Sequence, residues 1–125
     1  MTSNGGKRKR RVKKKNSPAI DESQYIKSPP KPFVTEDQDL RDLVNIMYYA
    51  NAIIGETLAD TVRFELGTIE QVKGKNHVKK GQLILKSLRN WLEKRKNRDS
   101  VDRPAAILLY NDLADALQIE IWREE

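Results

Sequence analysis

The sequence predicts an all-α protein, a small bundle of three main helices (residues 35–125) behind a disordered, basic and proline-bearing tail (residues 1–34). Three observations predict it. Apolar residues recur at helical spacing after residue 35, a polar stretch with Pro29, Pro30 and Pro32 precedes them, and the chain opens with the cationic run GGKRKRRVKKK. At 125 residues the chain suits one core plus a tail.

The tail has little to bury. Lys7, Arg8, Lys9, Arg10, Arg11, Lys13, Lys14 and Lys15 are interrupted only by Val12, and the polar stretch SPAIDESQYIKSPPKPF follows them. Its prolines disfavour helix and push their neighbours towards extended conformations. Tyr25, Ile26, Phe33 and Val34 are its larger apolar groups and are expected to latch this tether onto the domain.

A helix is expected to start at TEDQDLRDLV. Thr35 and Gln38 have the spacing of a reciprocal capping box, and Glu36, Asp37 and Asp39 suit the positive end of a helix. Leu40, Leu43, Val44, Met47, Ile54, Leu58 and Val62 share one face. The helix is read to about residue 60, or to Leu66 with Gly67 as its stop. Because VRFELGTIEQV also alternates, a strand stays open for residues 62–72. Ile46, Tyr49, Ala50 and Ile53 form a second apolar group, so this helix either packs on two sides or presents a protein-binding patch through Ile46, Tyr49 and Ile53.

KGKNHVKKG, residues 73–81, reads as a loop. In the next helix Leu85, Leu88 and Leu92 fall on one line beside Ile84 and Trp91, with Lys79, Lys86, Arg89, Asn90 and Lys94 opposite. NRDSVDRP is a turn in which Ser100 or Asp102 can cap and Pro104 fits a first helical turn. The last helix is expected through Ile107, Tyr110, Ala114, Leu117 and Ile121.

Charge is unevenly distributed. The net charge is +6, yet the eight cations of the opening run exceed it, so the remainder is slightly acidic. Within that remainder, residues 73–98 hold ten basic residues against one acid. These cations are either offset by the acidic segments on both sides or form a basic ridge. As a ridge, Lys73, Lys75, Lys79, Lys80, Lys86, Arg89 and Lys94 join the tail as candidate phosphate contacts.

The composition argues against an enzyme. Cysteine is absent and His77 is the single histidine, so neither a thiolate nor a zinc cluster is offered, and no cofactor or metal is expected. GTIEQVKGK lacks the spacing of a phosphate-cradling loop. A helix-turn-helix reader needs a shorter turn than the lysine-rich stretch before residue 82. No long apolar run is present, and a soluble intracellular protein is expected.

Taken together, the junction DESQYIKSPPKPFVTEDQDLRDLV, the GKNHVKK loop, the basic start and the ending EIWREE resemble a family of small accessory proteins of T-even-type bacteriophages that bind the host RNA polymerase core. The resemblance implies a non-catalytic RNA polymerase ligand that modifies transcription without a cofactor, in the host cytoplasm. Read from the residues alone, two alternatives stand: a DNA- or RNA-binding protein acting through its tail and the 73–98 segment, or a nuclear protein whose tail is an import signal.

Overall fold

The computed structural model describes residues 21–48, 57–68 and 76–124. Among them are four α-helices, two short 3-10 turns (Glu22–Tyr25 and Arg95–Asn97) and no strand. The helices are α1 (Gln38–Met47), α2 (Leu58–Thr68), α3 (His77–Glu93) and α4 (Arg103–Ala116). The expected long first helix is therefore two helices. α1 ends at Tyr48 and α2 begins after Thr57, whose hydroxyl accepts the Asp60 amide at 3.0 Å as an N-terminal cap does.

α1 uses a different cap from the expected box. The Asp37 carboxylate accepts the Leu40 amide at 2.9 Å, while Gln38 reaches forward to Arg41 and Asp42. Thr35 is engaged elsewhere, with Asp102. Leu40, Val44 and Met47 are buried on the expected stripe.

α2 contacts each of the other three helices and explains why its sequence reads ambiguously. Leu58, Ala59, Val62 and Phe64 are buried, but so are Asp60, Thr61 and Glu65. A helix enclosed on nearly all sides has no single apolar stripe, and its polar residues imitate the outward half of a strand. Residues 62–68 are helical; 69–72 lie outside the described residues. Gly67 is an internal residue of α2 instead of its stop, and a Cβ there would lie 2.5 Å from Cε1 of Tyr25.

Of the expected loop over 73–81, residues 77–81 form the start of α3, and 73–75 lie outside the described residues. The Asn76 side chain caps the Lys79 amide at 3.0 Å, and the buried Glu65 carboxylate of α2 accepts the His77 amide at 2.9 Å. A negative group from a neighbouring helix thus meets the positive end of α3. Gly81, read as a loop marker, is buried where α3 crosses its neighbours; a Cβ there would stand 3.2 Å from Val62 and 3.4 Å from Leu113. Leu85, Leu88, Trp91 and Leu92 are buried as expected and join Leu109, Tyr110 and Leu113 of α4 in one core.

Residues 21–34 lie against the helices. Tyr25 packs edge-on against Phe64 and Val34 joins the main core, whereas Ile26 and Phe33 are exposed, Phe33 at 83%. Lys27 and Ser28 bond to Asp60, and the Tyr48 hydroxyl donates to the Pro29 carbonyl. Residues 1–20 lie outside the described residues.

α4 stops earlier than its sequence suggests. Gln118 adopts φ 62° while its amide donates to Asp115 O and the Ile119 amide to Ala114 O, a double-bonded helix end usually built on glycine. Ile121 is consequently exposed beyond the helix. Since a left-handed non-glycine residue costs about 1–2 kcal/mol and glycine loses some of that gain as chain entropy, Gln118→Gly should raise stability by about 0.5–1 kcal/mol. The expected result is a higher urea midpoint with an unchanged slope.

Candidate nucleic-acid interface

α3 presents its cations because its apolar stripe is committed to the core. Lys79, Lys80, Lys86, Arg89 and Lys94 are all exposed, and from Lys79 to Lys94 the helix rises about 20 Å. Arg63 pairs with Asp60, Asp112 and Asp115, Arg103 with Glu124, and Arg123 with Glu120. Lys79, Lys86 and Lys94 enter no ion pair among the described residues.

Arg89 is partly committed inward. Its guanidinium donates to the Tyr110 hydroxyl at 2.9 Å and lies 5.9 Å from the centre of that ring. Lys73 and Lys75, with Lys7, Arg8, Lys9, Arg10, Arg11, Lys13, Lys14 and Lys15, lie outside the described residues. Of the proposed protein-binding patch, Ile46 is placed on α1 at 37% exposure, and Tyr49 and Ile53 lie outside the described residues.

The basic face continues past α3. Asn97 is buried and its side-chain Nδ2 donates to Trp91 O at 2.8 Å, closing the end of α3, while Arg95, Lys96 and Arg98 project outward around it. Beside them the segment after α4 runs back along that helix. The Trp122 amide donates to Asn111 Oδ1 at 2.8 Å, its ring meets Tyr110 edge-on, and Glu124 reaches Arg103. Sequence reasoning missed this second group, since Arg103 and Glu124 are 21 positions apart and nothing in local spacing joins them.

His77 faces α2. Its Nδ1 lies 2.5 Å from Glu65 Oε2, and its backbone amide bonds the same carboxylate. Among the described residues no group of three or more His, Asp or Glu could hold a metal ion, and no helix is long and apolar enough to cross a membrane.

No protein-family model, no curated protein and no solved structure matches this chain.

Proposed function

We propose that this chain is a non-catalytic accessory protein that binds RNA polymerase and modulates transcription, with the outer face of α3 and the basic tail holding nucleic-acid phosphate on the same assembly. The observation that carries the phosphate contact is the exposure of Lys79, Lys86 and Lys94 without acidic partners among the described residues. Lysines of this kind grip phosphate without reading bases. The polymerase half of the proposal is supported by the resemblance of the junction, GKNHVKK and EIWREE stretches to the phage polymerase ligands. A weak phosphate grip beside a protein contact gains from the raised effective concentration.

Two measurements test it. Lys79→Ala combined with Lys86→Ala should flatten the dependence of log affinity on log salt by about 1.4–1.8; an unchanged slope would remove α3 from the interface. A chain lacking residues 1–20 should still co-purify with polymerase from a nuclease-treated lysate, and loss of that complex would assign the partner to the tail.

A further inference from the structure

The end of α3, Trp122 and Glu124 enclose a cleft of about 480 Å³, inside the range of roughly 300–1,000 Å³ that suits small ligands. Five cations line it: Lys94, Arg95, Arg98, Arg103 and Arg123. Only Glu93 and Glu124 oppose them among the lining residues.

Arg103 is built into place. Its NH1 donates to the carbonyls of Leu92 at 3.1 Å and Asn97 at 3.3 Å, so the guanidinium is fixed on the closing turn of α3. The opposite edge is turned outward, and there Nε and NH2 grip the two oxygens of Glu124 at 2.8 and 2.9 Å. The Trp122 indole N–H adds a third bond to that carboxylate at 2.6 Å. This two-pronged geometry is the one by which arginine holds carboxylate or phosphate interchangeably. Glu124 itself is half exposed, so an incoming phosphate can reach the position it holds.

We propose that the Arg103–Trp122 cleft is a binding site for single-stranded nucleic acid, and that Glu124 occupies its phosphate position as an internal competitor. The site rests on the reading of α3 as a phosphate face, because Lys94 belongs to both and leads a strand from the helix into the cleft. There Arg95, Arg98 and Arg123 meet further phosphates, and the half-buried Trp122 ring, which lines the cleft with the Arg103 guanidinium 6.0 Å from its centre, is the surface offered to an unstacked base. A duplex keeps its bases stacked and cannot use that ring.

The test compares the full chain with Glu124→Ala and with Glu120→Ala. The latter removes an equal charge from the same segment: Glu120 is not a lining residue, and its pair with the lining Arg123, at 2.9 Å, is exposed on both sides and so worth little. Binding is read by anisotropy on an oligothymidylate of about 12 nucleotides and on the matching duplex. Glu124→Ala should tighten single-strand binding about fivefold, with quenching of Trp122 fluorescence and no change on the duplex, while Glu120→Ala should change it less than about twofold. Trp91 is buried, so it contributes an emission that a bound strand does not touch, and the quenching is read as a partial loss of the total.

Equal gains for the two variants, an equal gain on duplex, or tightening without quenching would overturn the cleft. If the α3 lysine pair still flattens the salt dependence while Glu124→Ala changes nothing, the cleft falls and the phosphate face stands. If neither has an effect, both fall.

Discussion

Asp102→Asn is expected to destabilise the fold by about 3 kcal/mol at neutral pH, despite almost unchanged volume. The carboxylate of Asp102 caps the approach to α1 from the far side of the chain. One oxygen accepts the Thr35 amide at 2.7 Å and hydroxyl at 2.8 Å, and the other accepts the amides of Glu36 at 2.8 Å and Asp37 at 2.9 Å. Arg41 completes the clamp by donating to the carbonyls of Val34 and Thr35. In the asparagine variant an NH2 group must face N–H donors, so at least one acceptor is lost in a site where Asp102 is 2% exposed.

The same contact has a pH signature. Burial by itself raises the Asp102 pKa, but the amides of Thr35, Glu36 and Asp37 and the Thr35 hydroxyl outweigh it and lower the value from 3.8 to about 2. A depressed carboxylate stabilises the folded state above the unfolded value and loses that contribution as pH falls through the folded one. About 2.5 kcal/mol should therefore disappear progressively between about pH 5 and pH 1 in the wild type, most of it between pH 4 and pH 2. Urea titrations at a series of pH values should show the gap to Asp102→Asn closing over that window; a gap of equal size at pH 7 and pH 2 would refute the assignment.

Arg63→Met should cost about 3–5 kcal/mol, because it leaves two buried carboxylates without their cation. Arg63 reaches Asp60 Oδ1 at 2.8 Å, Asp112 Oδ1 at 2.6 Å and the exposed Asp115 at 3.1 Å. The two buried acids also hold residues 27–28: Asp60 accepts both backbone amides, and the Ser28 hydroxyl bonds Asp112 at 2.6 Å. Tyr48 senses the same charges. Burial first, then Asp112 and Asp60, push its phenol to about 12, with Arg63 pulling the other way. Methionine keeps most of the stem volume, so the loss should be electrostatic. Adding Asp112→Asn to Arg63→Met should then cost much less than the two single changes together, measured by urea unfolding of the four proteins of a double-mutant cycle. Strict additivity would count against the cluster.

Much of the helical plan was legible in local spacing. Leu85, Leu88 and Leu92 mark the buried line of α3, and Leu40, Val44 and Met47 that of α1, because an α-helix repeats every 3.6 residues whatever surrounds it. The exposed cations at 79, 86 and 94 follow from the same periodicity. Other features were hidden for definite reasons. Thr57 and Asp60 carry a capping signal at the start of α2, but the apolar stripe of α1 continues in register through Leu58 and Val62 and obscures the boundary. Gly81 looks like a loop residue until the closeness of Val62 and Leu113 shows how tightly any side chain there would press on its neighbours. Gln118 ends α4 in a conformation that gives no glycine signal.

By itself, then, the sequence determined the helical class, the buried stripes of α1 and α3, and the position of the basic face, all consequences of interactions between residues a few positions apart. Only the tertiary structure decided where the charged groups find partners: Asp102 on residues 35–37, Arg63 between Asp60 and Asp112, Glu65 on His77 and Glu124 on Arg103. An ionised group accepts any donor or opposite charge of suitable geometry, so its partner is chosen by how the helices pack rather than by the order of residues along the chain.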